Sequence, residues 1–160
     1  MSQPAEHPTT RHVTKRLAEL GATGQVRILP DSARTAAQAA AALGCEVGAI
    51  ANSLIFDADG EPVLILTPGA HRVDTEKCAA EVGVSSLRRA RPEFVRTHTG
   101  QAIGGVAPVG HPSPVRAFVD PWLARHDVVW AAAGHPHALF STTYDELLRI
   151  TDGRPLDVEA

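Results

Sequence analysis

The residues best placed to do chemistry lie in the second half of the chain. His111, His135 and His137 all stand beside glycine or proline. His135 and His137 are two apart and would share one face of a strand. His-Pro-His breaks regular structure, however, and no carboxylate lies close by in sequence. A metal-ligand set is therefore not complete by spacing, and neither a metal nor a cofactor is expected. The nucleophile and phosphate motifs G-x-S-x-G, GxxxxGK[ST] and HExxH are absent. What stands out instead is Thr99 to Pro112, a nearly uncharged run with four glycines and two prolines. Such a run is a poor helix and a poor strand. The pair Gly104-Gly105, closed by Pro108, predicts a shaped loop whose backbone N–H groups are open to a ligand.

Two other stretches carry polar groups in unusual settings. Asn52 and Ser53 interrupt the apolar run Ile50 to Phe56. A polar side chain there needs a hydrogen-bond partner or a task. Arg88, Arg89, Arg91 and Arg96 face a single Glu93 and form the densest positive segment, either a solvated face or a small phosphate-binding patch. Cys45 and Cys78 show neither CxxC nor zinc spacing and read as buried free thiols.

The elements that must hold these residues follow from periodicity and punctuation. Thr9 or Thr10 caps a first helix carrying Val13, Leu17 and Leu20 on one side. Val26 to Leu29 reads as a strand, and Thr35 to Gly44 as an alanine-rich helix with a structural role. Ile50–Phe56 and Pro62–Thr67 flank an Asp/Gly turn and predict a central β-hairpin. A helix capped by Asp74 or Thr75 runs to about Val82. A third strand is expected near Ser86 to Ala90, and a short helix from Pro92. Strands at Val115–Val119, Val128–Ala133 and Ala138–Ser141 follow, then a helix capped by Thr142 or Thr143. Asp152 to Ala160 reads as a polar tail. The mixture lacks a βαβ rhythm and predicts an α+β domain with a mixed, strongly curved sheet.

With 160 residues, 44% of them hydrophobic, the chain fits one globular domain over 1–160. Aromatics are only 4%, so the core must be aliphatic. A net charge of −3 argues against gripping long nucleic acid, though not against holding one end of it. The apolar runs fall short of a membrane span, and the N-terminus has no apolar signal core, so a cytoplasmic location and no membrane partner are expected.

The chain resembles the YbaK/prolyl-tRNA-synthetase-associated editing domains. The matching pieces are Thr35-Ala36 through Leu43-Gly44, Asn52 to Phe56, Pro62 to Leu66, Arg72-Val73-Asp74 with Lys77, Thr99-Gly100, Gly104 to Gly110, Asp120 and Gly134. They span about residues 30 to 150. The resemblance implies a barrel-like mixed sheet surrounded by short helices, with a pocket for the aminoacyl-adenosine end of a tRNA. It implies hydrolysis of a mischarged aminoacyl-tRNA, with the tRNA acceptor end and an aminoacyl-tRNA synthetase as candidate partners. The family's G-x-x-x-P loop maps here to Gly104, Gly105, Val106, Ala107 and Pro108. Backbone donors placed where an oxyanion develops suit ester hydrolysis. Asn52 joins these loop residues as a catalytic candidate. Ser53, Arg72, Asp74, Gly134 and His135 are the candidates for substrate binding. One departure matters: the family usually carries a lysine where this chain has Asn52, and asparagine supplies no charge. The alternative is therefore a weak or inactive member that binds the tRNA end, an aminoacyl ligand or a synthetase. A histidine-dependent metallohydrolase is a third reading.

Overall fold

The computed structural model describes residues 7–30, 35–69 and 71–159. The elements are α1 (Pro8–Glu19), β1 (Val26–Ile28), α2 (Ala36–Leu43), β2 (Ile50–Ala58), β3 (Glu61–Pro68), α3 (Thr75–Val82), β4 (Arg88–Arg89), α4 (Pro92–Thr99), β5 (Arg116–Val119), β6 (Val129–His135), β7 (Ala138–Thr142), α5 (Tyr144–Thr151) and β8 (Arg154–Pro155), with short 3-10 turns at Val47–Ala49 and Pro121–Arg125. The eight strands form one mixed sheet in the order β1-β7-β6-β2-β3-β5-β8, and β4 pairs separately with β2. This is the expected mixed α+β architecture. Closure into a barrel is not seen: among the described residues β1 and β8 end the path and do not pair.

The hairpin β2–β3 is central, as its near-continuous apolar runs predict. Its register runs from Ala51↔Pro68 to Ala58↔Glu61. Asp59 and Gly60 both have positive φ, the geometry of a two-residue hairpin turn. Alternation along β2 then assigns its two faces. Ala51 and Ile55 join the main core with α1 (Val13, Leu17), α4 (Val95) and α5 (Leu147, Ile150). Phe56 and Ala58 pack with α3 through Cys78, Ala79 and Val82. Ile50 packs with Ala39 and Ala40 of α2. Helices thus cover both faces of the sheet.

Two local readings are corrected. Helix α1 begins earlier than its threonines suggest: His7 is the N-cap, its Nδ1 accepting from Thr9 N, and Pro8 occupies the first turn, where its missing N–H costs nothing. The segment after Asp152 is no mere polar tail. Arg154 and Pro155 pair in parallel with Phe118 and Val119, and Leu156 and Val158 are buried. The two alternating apolar residues that follow the strand fill the α3 side of the core.

Candidate active site

Strand β2 changes neighbours midway, and that change creates the site. Its first residues pair with β6, Ile50 with Trp130 and Ala51 with Ala131. Its last pair with β4, Phe56 with Arg89 and Asp57 with Arg88. Between them β6 veers away at an irregularity between Ala132 and His135, where Gly134 has φ +93°. The edge of β2 from Asn52 to Ile55 is left facing a cavity of about 290 Å³. Asn52 to Ile55 form one wall. Arg89 and Ala90 of β4 and Val95 of α4 form a second. Thr35, Ala36 and Ala39 of α2 lie on the other face of the sheet, and Ile103 to Val106 form the lid.

The irregularity also holds the lid. Gly134 N–H donates to Gly105 O at 3.0 Å. A Cβ on Gly105 would lie 2.7 Å from the His135 carbonyl carbon and 2.8 Å from Pro136 N, so only glycine lets the two backbones meet there. A Cβ on Gly134 would lie 2.9 Å from Thr9 Cγ2. Among the described residues, the N–H groups of Gly104, Gly105 and Val106 have no protein acceptor.

The next residues are tied down. Gln101 is 3% exposed. Its Oε1 accepts from Ala107 N (2.8 Å) and its Nε2 donates to Val109 O (3.1 Å). His111 Nε2 donates to Ala107 O at 2.9 Å. Burial holds the His111 pKa below its usual value, against the opposing pull of that hydrogen bond. An imidazole kept neutral keeps this bond without bringing a charge into the loop.

Of the candidates from sequence, the structure gathers Asn52, Ser53, Gly104, Gly105 and Val106 around one cavity. Ala107 and Pro108 do not line it. The N–H of Ala107 is committed to Gln101, so it is not available to an oxyanion, and Pro108 borders a separate groove on the far side of the loop. Gly134 and His135 lie behind the lid. The His135 ring packs against His7 and His137 at centroid distances of 5.2 and 5.5 Å. Burial, followed by the neighbouring His7 and His137, lowers its pKa.

Arg72 and Asp74 are elsewhere. Asp74 Oδ1 caps α3 by accepting from Lys77 N, and Asp74 N–H donates to Val158 O. Arg72 N–H donates to Glu159 Oε2. The Arg-Val-Asp turn is a cradle for the C-terminal segment, not a wall of the cavity.

Of the positive segment Arg88 to Arg96, Arg89 is the charged side chain on the cavity wall, and charge alone could not separate it from its neighbours. Two contributors escaped the sequence reading. Helix α2, read as structural, presents Thr35 and Ala36. Gln101 staples the loop; a lone amide inside a glycine-rich apolar run was the available signal. Other chemistry is remote. Burial raises the Cys78 thiol to about 11, which leaves it a poor nucleophile. Among the described residues no group of three or more His, Cys, Asp or Glu could hold a metal, and no helix is long and apolar enough to cross a membrane.

Residues 30–150 match the family model described as the aminoacyl-tRNA editing domain. The chain is 34% identical over 123 residues to a proline–tRNA ligase of Nitratidesulfovibrio vulgaris (strain Hildenborough), a match covering 77% of this chain and 20% of the ligase. It therefore spans about a fifth of that relative's length. It is 33% identical over 117 residues to the uncharacterized protein YwhH of Bacillus subtilis (strain 168), covering 72% of this chain and 74% of YwhH. Among solved structures, one described as a proposed trans-editing enzyme for prolyl-tRNA synthetase superposes with a TM-score of 0.90 at 44% identity, covering 96% of this chain and 98% of the other. The hypothetical protein APE2540 superposes with a TM-score of 0.83 at 30% identity, covering 92% and 98%. With residues 30–150 matched by the family model and the fold shared at 44% identity, the chain belongs to the aminoacyl-tRNA editing domain family.

Proposed function

We propose that the protein is a trans-editing deacylase that hydrolyses the ester of a mischarged aminoacyl-tRNA. The observation that carries this is the set of N–H groups of Gly104, Gly105 and Val106, unspent among the described residues, on the wall of a small cavity with both polar and apolar lining. Water attacks the ester carbonyl carbon. The carbonyl π electrons move onto oxygen, and loop N–H groups stabilise that oxyanion. The carbon–oxygen bond to the terminal ribose then breaks, the ribose oxygen takes a proton from the attacking water, and the free amino acid leaves. No side-chain nucleophile is required. The tied-down residues 107–111 keep the donors in place before substrate arrives, which is where such stabilisation draws its strength. Asn52 and Arg89 orient the aminoacyl-adenosine end, and Arg89 supplies positive charge near a phosphate.

The test is a panel of mischarged tRNAs. The reading expects release of at least one amino acid well above an Asn52→Ala control. Failure to hydrolyse any pair would sink it.

Asn52 itself favours a second reading, binding of a tRNA end without turnover. In that case labelled aminoacyl-tRNA is retained without hydrolysis, and Asn52→Lys restores activity.

A further inference from the structure

Ser53 holds an unusual concentration of unpaired polar groups. Along β2 the main-chain groups alternate between the two edges. Ile50 O accepts from Gly69 N, so even-numbered residues face β3. Ile55 O accepts from Ala90 N, so odd-numbered residues face the other edge. There the ladder to β6 ends at Ala51, and the ladder to β4 begins beyond Ile55. Ser53 is the odd-numbered residue between them. Among the described residues no strand pairing on that edge reaches its N–H or its C=O, and its buried Oγ is unpaired as well. Unpaired backbone groups are rare inside a sheet. Here they open onto the cavity wall opposite Gly104 to Val106.

A donor and an acceptor on one residue at an open strand edge match one chemical pattern, an N–H and a C=O carried by the same residue of a ligand. The aminoacyl group of a charged tRNA is such a residue: its α-ammonium donates and its ester carbonyl accepts. We propose that Ser53 binds the aminoacyl group as a one-residue strand added to β2. Its C=O accepts from the α-ammonium, and its N–H donates to the acyl carbonyl alongside a donor from the loop. This rests on the reading of the cavity as the aminoacyl site and adds a class of substrate to it. The site takes acyl groups with a free α-amine and rejects N-blocked ones, because an acylated nitrogen loses both its charge and its room at the strand edge.

The experiment uses binding, so that it does not depend on turnover. The probes are 3′-alanylamino-3′-deoxyadenosine and its 3′-propionylamino counterpart, which lacks only the amine. Each is titrated into isotope-labelled protein and followed by amide NMR. The alanyl compound is expected to bind roughly 10–100-fold tighter, the range for a hydrogen bond to a charged group, and to shift the Ser53 amide proton downfield. N-acetylation of the alanyl compound should remove that advantage. Equal affinity for the two compounds, a silent Ser53 amide while Gly104 to Val106 respond, or no binding of either would overturn the proposal. Tight, amine-dependent binding without hydrolysis of any charged tRNA would leave Ser53 in place and sink the deacylase reading alone.

Discussion

Residues 103–106 and residues 107–111 are consecutive parts of one loop, and their backbones are used in opposite ways. In the first part, three N–H groups stay unpaired at the cavity among the described residues. In the second, Ala107 N, Ala107 O, Val109 O and Gly110 O are all bonded, to Gln101, His111, Gln101 and His12. The difference shows how a glycine-rich segment can offer its backbone without becoming floppy. Donors aimed at a reacting oxygen are useful only if they do not rearrange on binding. The saturated half removes that freedom from one side, and the Gly134–Gly105 bond removes it from beneath.

Substitutions can break this contrast one half at a time. The largest effect is expected from Gly105→Ala. The new Cβ must push the lid off the His135–Pro136 backbone, and a displacement near 1 Å should lower deacylation by about 100-fold. Thermal melting should change less, because Val106 is the one lid residue buried in the main core. Normal turnover by a folded variant would show that the close approach is irrelevant to chemistry. Gln101→Ala attacks the other half. It strands a buried N–H and a buried carbonyl, and should destabilise by about 2 kcal/mol in urea denaturation. Turnover should fall as well, through loss of the anchor; unchanged turnover would separate the two halves functionally.

The Arg-Val-Asp turn supplies the control. Asp74→Ala removes the N-cap of α3 and should cost about 1 kcal/mol of stability with turnover per folded molecule unchanged. Arg72→Ala, at an exposed side chain, should alter stability by about 0.5 kcal/mol or less. A selective loss of activity in either would move the substrate toward that turn.

The smallest effect is on pH dependence. His111 is held neutral by burial, so its folded pKa lies below the unfolded value of about 6.5. Below that value the unfolded chain binds more protons than the folded one, so stability is full above it and falls as pH drops toward the folded pKa. His135 is shifted the same way and adds to the slope. Melting temperatures from neutral pH downward should therefore decline, and His111→Gln should flatten the decline in part. An unchanged slope would mean that His111 does not titrate as its burial requires.

Much of the scaffold was legible along the chain. Thr35, Asp74 and Thr143 cap helices as their types suggest, and the Asp/Gly turn sets the hairpin. The near-continuous apolar runs also placed β2–β3 at the centre. The end of the chain was misread because two alternating apolar residues are too short a pattern to separate a strand from a tail. Arg72 and Asp74 lay in the right motif but at another place in the fold, since motif order says nothing about which surface a turn meets.

The sequence by itself determined the local geometry: where helices start and stop, which strands pair as a hairpin, and that 104–110 must be an irregular, glycine-dependent loop. Those choices follow from φ preferences, side-chain capping and periodicity, all of which act within a few residues. Only the tertiary structure decided that β6 leaves β2 after Ala131, so that Ser53 keeps an open edge and the loop's donors close over it. That outcome depends on hydrogen bonds between segments about 30 and 80 residues apart, and no local preference records which backbone groups such pairing leaves unspent.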